Sequence, residues 1–99
     1  IGILKAVEQK DPNNIKALIN LGYFSIKSGQ FDKAEERFNQ VLKIDVTYAE
    51  AYLYLADLHE RQKKYEAAIA DLENFKSLID DPKKVGEVDD YILELSKNI

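Results

Sequence analysis

Residues 15–48 read IKALINLGYFSIKSGQFDKAEERFNQVLKIDVTY, and residues 49–81 read AEAYLYLADLHERQKKYEAAIADLENFKSLIDD. When the second stretch is placed under the first at an offset of 34 residues, apolar residues fall on apolar residues and small residues on small ones. The matched pairs are Leu18 with Tyr52, Leu21 with Leu55, Gly22 with Ala56, Phe31 with Tyr65, Ala34 with Ala68, Phe38 with Leu72, Val41 with Phe75 and Ile44 with Leu78. A period of this length predicts one supersecondary unit that is copied and stacked.

Each copy predicts a helical hairpin. Inner-face residues recur at spacings of three and four over 15–28 and 31–44, with a break at Ser28-Gly29-Gln30, and the second copy turns at Lys63-Lys64. The predicted inner faces are Leu18, Leu21, Gly22 and Ser25, then Ala34, Phe38, Val41 and Ile44, then Tyr52, Leu55, Ala56 and His59, then Tyr65, Ala68, Leu72, Phe75 and Leu78. Because small residues let two helices approach closely, we expect Gly22 to face Ala34 and Ala56 to face Ala68.

The helix starts carry capping residues. Asn13 and Asn14 precede the first helix, and Thr47 with Glu50 predicts a capping box at the start of the second copy. Asp81 followed by Pro82 predicts another helix start. The helix that follows carries Val85, Val88, Ile92 and Leu95 at helical spacing, which predicts a terminal capping helix with one polar face.

The domain organisation follows from these elements. We expect a single domain over 1–99, made of a partial upstream unit at 1–12 (its second helix only), a first repeat at 15–48, a second at 49–81 and a capping helix at 82–99. The chain has no methionine, and we interpret it as a fragment of a longer protein. Since Ile1, Ile3, Leu4 and Val7 would lack part of their cover, we expect weak homo-oligomerisation through residues 1–10.

Composition narrows the class of function. With 45% hydrophobic and 32% charged residues in 99, the chain is typical of a soluble globular domain, and we expect a cytoplasmic one. No apolar run approaches the length of a membrane span, and no cysteine is present for disulfide or thiolate chemistry. The net charge of −4 disfavours nucleic acid and anionic membranes as partners.

The two copies resemble the tetratricopeptide repeat (TPR) family, whose pattern is aromatic, leucine, small and aromatic residues, then alanine, an aromatic and proline. The first copy matches this pattern with Leu18, Leu21, Gly22, Ser25, Ala34 and Phe38, and the second with Tyr52, Leu55, Ala56, His59, Ala68 and Leu72. Ser25 and His59 replace the usual large aromatic residue, and Val46 stands where proline is usual. The resemblance implies an all-α fold, a right-handed superhelical stack of antiparallel helix pairs.

The resemblance also implies a concave groove, lined by the side of each first helix that points away from the core. Ile19, Tyr23, Leu53 and Tyr54 would form an exposed apolar and aromatic cluster there, which is typical of an interaction surface. The alternative is that they pack on the neighbouring helix or on a segment missing from this fragment. The candidate groove residues are Lys16, Ile19, Asn20, Tyr23 and Lys27 from the first copy, with Ile26 beside them, and Glu50, Leu53, Tyr54, Asp57 and Arg61 from the second, with Glu60 beside them.

One specialised groove is excluded by the residues. The carboxylate clamp of heat-shock chaperone partners needs lysine and asparagine where Ile19 and Tyr23 stand, and asparagine where Tyr54 stands. The register that makes Asn20 the middle asparagine puts Glu50 and Tyr54 where lysine and arginine are required. We therefore expect no chaperone carboxylate clamp in these repeats.

No residue pattern points to catalysis, a metal or a cofactor. His59 is the single histidine and stands at a core aromatic position, so we expect it to pack rather than to react. No nucleophile elbow, metal-ligand spacing or calcium loop is present, and we predict that the chain is not an enzyme. The predicted function is a protein-interaction scaffold that binds a peptide or helix. The alternatives are a structural or self-assembly segment at the C-terminal end of a longer superhelix, or a regulatory segment of a larger enzyme.

Overall fold

The computed structural model describes residues 14–99, and these form five α-helices. The helices are α1 (Ile15–Lys27), α2 (Phe31–Ile44), α3 (Ala49–Arg61), α4 (Tyr65–Ser77) and α5 (Pro82–Ser96). No strand occurs in this part of the chain, so the predicted all-α fold is confirmed. The predicted helix of the partial upstream unit, and Asn13, lie outside the described residues.

The chain divides into two compact units, unit 1 over Ile1–Val46 and unit 2 over Thr47–Ile99. Within unit 1, α1 packs on α2, and within unit 2, α3 packs on α4 and α4 on α5. The α1–α2 and α3–α4 connections are three residues long, which makes these neighbours antiparallel. The finer division into repeats and a cap, and the description of the chain as one domain, stay predictions.

The α1–α2 pair of unit 1 is built around Phe38, which is fully buried. A Cβ atom placed on Gly22 would lie 2.5 Å from Cε1 and 2.6 Å from Cζ of the Phe38 ring. Glycine at position 22 therefore makes room for that ring. The atoms nearest to that position belong to the ring of Phe38, and the prediction that Gly22 also faces Ala34 stays a prediction.

Three predicted core positions are exposed. Leu21 of α1 is 48% exposed, and Ile44 at the end of α2 and Leu78 after the end of α4 are also exposed. The inner face of α1 is instead completed by Ile19 and Ile26, which are buried beside Leu18. Both flanks of the predicted stripe are apolar, and helical spacing does not say which flank the surrounding chain covers.

The turns of both hairpins share one backbone structure. After α1, the Gln30 N–H donates to the Ser25 carbonyl at 2.8 Å, and Gly29 has φ +77°. After α3, the Lys64 N–H donates to the His59 carbonyl at 2.8 Å, and Lys63 has φ 61°. Both are Schellman motifs, in which the left-handed residue is usually glycine. The predicted breaks are thus confirmed, and Lys63 adopts a conformation that suits glycine better.

Two helix starts are capped as predicted and one is not. The Ala17 N–H donates to Asn14 Oδ1 at 3.0 Å, and the Lys83 N–H donates to Asp81 Oδ1 at 3.1 Å with Pro82 in the first turn. The capping box predicted for Thr47 and Glu50 differs in position from the helix start, because α3 begins one residue later than that box requires. Its N-cap is Tyr48, whose side chain makes no capping hydrogen bond.

The core of unit 2 joins three helices. Its buried cluster consists of Ala56, Ala68, Leu72, Phe75, Val88 and Leu95, with Tyr52, Tyr65 and Ile92 among the half-buried residues packed against it. Val88, Ile92 and Leu95 of the inner face predicted for the last helix are therefore confirmed, and Val85 is half-buried. Lys76 of α4 also reaches Asp89 of α5, with 2.7 Å between Nζ and Oδ1. These contacts fix α5 against the hairpin of α3 and α4.

Candidate functional site

The outer side of α1 carries four of the five groove residues predicted in the first copy. Lys16, Asn20, Tyr23 and Lys27 are exposed on this helix, and we call these four residues the α1 face. Ile19 is only 9% exposed and Ile26 only 2%, so the prediction that they line an open surface is wrong. They belong to the buried stripe of α1, which includes Ile19 and Ile26 and leaves out Leu21, so it is displaced around the helix from the predicted position.

A cation lies over an aromatic ring on the α1 face. The Lys27 Nζ atom lies 5.4 Å from the centroid of the Tyr23 ring, one helical turn away. This is the distance range of a cation–π contact, in which the negative ring face attracts the ammonium group. The α1 face therefore contains two lysines, one of them held over a tyrosine.

The outer side of α3 carries the residues predicted in the second copy. We define the α3 face as the following six residues: Glu50, Leu53, Tyr54, Asp57, Glu60 and Arg61. Glu50 and Arg61 are exposed and the other four are half-buried, whereas the opposite side of the helix carries the buried residues Ala51, Leu55, Ala56, Leu58 and His59. The Arg61 Nε atom donates to both carboxylate oxygens of Asp57 at 3.2 Å.

Tyr91 of α5 is a residue of this surface that the sequence analysis missed. Its hydroxyl donates to Glu60 Oε1, which joins α5 to the α3 face. Burial, the hydrogen bond to Glu60 and the charges of Glu60 and Asp57 raise the pKa of Tyr91 well above its usual range. Tyr91 lies three residues after the core residue Val88, on the flank of the predicted apolar stripe. Its position beside the apolar stripe of α5 could have indicated from sequence that Tyr91 is half-buried. The sequence does not indicate which other helix Tyr91 contacts.

A second tyrosine lies beside a carboxylate at the other end of α3. The pKa of Tyr48 is raised by burial, then by the charge of Glu50 and its hydrogen bond, and by Tyr54. Glu50 therefore accepts a hydrogen bond from the Tyr48 hydroxyl at the start of α3, and Tyr54 follows one turn later on the same helix. Each end of the α3 face thus has a glutamate next to tyrosine, with Leu53 between the two ends in sequence.

His59 occupies the buried side of α3, as predicted. Its Nδ1 atom lies 2.6 Å from Asp71 Oδ2 of α4, and both side chains are largely buried. This pair ties α3 to α4 at a position where the family pattern has an aromatic residue. No group of histidine, cysteine or acidic residues within 14–99 has the arrangement of a metal site. The pair therefore joins the two helices of this hairpin.

Equivalent positions of α1 and α3 differ in cover. Leu21 is 48% and Phe24 70% exposed, whereas Leu55 and Leu58, which stand 34 residues later, are 4% and 0% exposed. These two positions are thus covered on α3 and open on α1.

The homo-oligomer contact predicted for residues 1–10 lies outside the described part of the chain. Among the helices of residues 14–99, none has the length and apolarity of a membrane span.

Comparison with known proteins identifies the repeat. The model of the family described as "Tetratricopeptide repeat" matches residues 1–47 and 26–74. Human "DnaJ homolog subfamily C member 7" is 37% identical over 67 residues, which is 64% of this chain and 14% of that protein. Mouse "Tetratricopeptide repeat protein 21A" is 34% identical over 58 residues, which is 59% of this chain and 4% of that protein. The chain therefore spans only a small part of the length of these relatives.

A solved structure shares the fold. The chain superposes on the crystal structure of MamA with a TM-score of 0.66 and 30% sequence identity, over 95% of this chain and 57% of the MamA chain. Together with the five helices of residues 14–99, this similarity shows an all-α solenoid of the tetratricopeptide type.

Proposed function

The chain belongs to the tetratricopeptide repeat family, and from this premise we propose that the α1 face and the α3 face, each by itself, bind a peptide or helix of a partner protein. Tetratricopeptide repeats generally act as scaffolds for protein–protein interaction, and the family membership supports that broad function. The finer proposal concerns the surface. It assigns binding to the side of each first helix that is turned away from its buried residues.

The composition of the α3 face is the observation that carries this proposal. Leu53 is half-buried and packs against the core of unit 2, and both Leu53 and Tyr54 lie on the side of α3 that carries the charged residues, opposite Leu55. Aromatic and apolar side chains surrounded by a polar rim are typical of the energetic centre of a protein interface. The proposed partner rests its apolar side chain on Leu53 and Tyr54, and the charged residues around them set its orientation.

Nothing in the described residues argues for catalysis as the function of this surface. The polar groups of the α3 face are three carboxylates, the hydroxyl of Tyr54 and one guanidinium. Asp57 pairs with Arg61 on the face itself, whereas Glu60 and Glu50 accept hydrogen bonds from Tyr91 and Tyr48 beside it. A binding role uses these residues as they stand.

The test is a selection of peptides followed by a matched pair of leucine variants. A random 12-residue peptide library is panned against the protein, and the strongest binders are measured by fluorescence polarisation. Leu53→Ala should weaken their binding about tenfold or more, a loss of about 1.4 kcal/mol. Leu93→Ala, which truncates a leucine that is 63% exposed on α5, is the control and should leave affinity unchanged. Equal affinity for wild type and Leu53→Ala would refute the assignment of the α3 face.

A second candidate function, assembly into a larger repeat array, is favoured by the open positions on α1. Leu21 and Phe24 are exposed where their counterparts on α3 are covered. A second copy packed on these residues would cover them in the same manner. Sedimentation equilibrium over a range of concentrations tests this candidate: association that Phe24→Glu abolishes supports it, and a monomer at every concentration refutes it.

A further inference from the structure

The two candidate faces differ in the sign of their charge. The α1 face carries two lysines, Lys16 and Lys27, and no acidic residue. The α3 face carries three carboxylates (Glu50, Asp57 and Glu60) against one guanidinium, a net charge of −2. The whole chain has a net charge of −4, so a negative α3 face could simply reflect that overall charge. The positive α1 face shows that the charge of a face can differ from the charge of the whole chain. The sign of each face is therefore a local property.

The carboxylates of the α3 face are placed at its two ends. Asp57 is engaged by Arg61, which leaves Glu50 near the start of α3 and Glu60 near its end as the carboxylates without a basic partner on this face. Ten residues separate these two glutamates, and at about 1.5 Å per residue they lie about 15 Å apart along the helix axis. An extended peptide covers that distance in about five residues.

Each of these carboxylates lies beside aromatic side chains. Glu60 accepts a hydrogen bond from the hydroxyl of Tyr91, and Glu50 accepts one from the hydroxyl of Tyr48. A carboxylate next to an aromatic ring attracts an ammonium or guanidinium group through two terms, the charge and the ring quadrupole. A carboxylate or phosphate of a partner would be repelled at the same places. The raised pKa values of both tyrosines are consistent with this negative potential.

The chain already contains the two contacts that such a partner would make. Lys27 lies over the Tyr23 ring on α1, and the Arg61 guanidinium binds both oxygens of Asp57 on the α3 face itself. These internal pairs show that faces of this composition hold lysine and arginine side chains. The partner's basic residues would repeat the contacts at Glu50 and Glu60.

We propose that the α3 face selects partner segments carrying lysine or arginine, with two basic residues about five positions apart at Glu50 and Glu60 and an apolar residue between them on Leu53. This inference rests on the proposed function and names its class of partner. Leu53 supplies apolar contact, and the two glutamates decide which segments dock. The charges act on orientation and on the choice of partner more than on affinity alone.

The experiment uses the same 12-residue peptide library, now sequenced before and after selection. Lysine and arginine should be enriched over aspartate and glutamate among the binders, with pairs four to six positions apart. The strongest binder is then measured against the double variant Glu50→Gln/Glu60→Gln, which keeps the shape of both side chains and an acceptor for Tyr91. Its affinity should fall at least tenfold at low salt, and the difference should shrink as salt screens the charges.

A control variant removes the same number of charges elsewhere. Asp32→Asn/Glu36→Gln changes two exposed acidic residues of α2 and should leave the affinity within twofold of wild type. Circular dichroism confirms that both variants keep their helix content. Binders without basic enrichment, or equal affinity for the Glu50→Gln/Glu60→Gln variant, would overturn the proposed partner class.

The two proposals fail in different ways. If binders lack basic residues but still lose affinity with Leu53→Ala, the binding face stands and only its charge preference is wrong. If no binder depends on Leu53, the binding face itself is wrong and the partner class fails with it.

Discussion

Gly22 offers the sharpest test of the helix interface in unit 1. Gly22→Ala would place a methyl group 2.5 Å from Cε1, 2.6 Å from Cζ and 3.0 Å from Cδ1 of Phe38. Carbon atoms in contact normally lie about 3.5–4.0 Å apart, so three ring atoms would be too close. Because Phe38 is fully buried, its ring cannot turn into open space.

The expected change in the free energy of unfolding of Gly22→Ala is the difference between two effects. Alanine in place of glycine inside a helix gains about 1 kcal/mol, whereas overpacking a core costs about 1–3 kcal/mol. Three short contacts against a buried ring place this case near the upper end of that cost. We therefore expect Gly22→Ala to lower the free energy of unfolding by about 1–2 kcal/mol.

The assay is urea unfolding followed by circular dichroism, with Gly86→Ala as the control. Gly86 is also inside a helix, but a Cβ atom there would meet nothing within 4 Å, so this variant should be stabilised by up to about 1 kcal/mol. The second copy has alanine and leucine where the first has Gly22 and Phe38. Gly22→Ala/Phe38→Leu should therefore be more stable than the sum of its single changes predicts. Stability of Gly22→Ala equal to or above wild type would refute the reasoning.

Three further predictions concern burial, backbone and charge. Leu55→Ala should lower the free energy of unfolding by about 2–5 kcal/mol, because Leu55 is only 4% exposed. Leu21→Ala, at the equivalent position of the first repeat, should lower it by less than about 1 kcal/mol, because Leu21 is 48% exposed. Equal losses in urea melts would contradict this difference in burial. Lys63→Gly should stabilise the protein by about 1 kcal/mol by relieving a left-handed residue, whereas Lys64→Gly, at φ −94°, should not; a thermal melt of both variants decides. The raised pKa of Tyr91 means that the folded protein keeps the Tyr91 proton at a pH at which the unfolded chain has released it. The free energy of unfolding should therefore fall as pH rises above about 10, and it should fall more steeply in wild type than in Tyr91→Phe. Urea melts of both proteins from about pH 9 to 11 test this, and the same pH dependence in the two proteins would contradict it.

The repeat period determined most of the fold. Residues matched at an offset of 34 predicted the hairpins, their turns and the family, because helix formation and hairpin turning depend on residues close together in the chain. Asn14, Gly29, Asp81 and Pro82 act at helix ends through hydrogen bonds and backbone angles within a few residues. Such local effects are readable from sequence. His59 was also placed correctly, since its position in the repeat is a core position.

Only the tertiary structure decided which flank of each apolar stripe is covered. Ile19 and Leu21 are both apolar and both lie beside Leu18 on the helical wheel, yet Ile19 is buried and Leu21 is exposed. The partner of Tyr91 was undecided for the same reason, since Glu60 is 31 residues away and on another helix. Burial and side-chain pairing depend on what surrounds a helix in space, and the period of a single helix carries no information about that surrounding. The sequence therefore determined the helices and the family, and the packing of the helices determined which of their residues remain available to a partner.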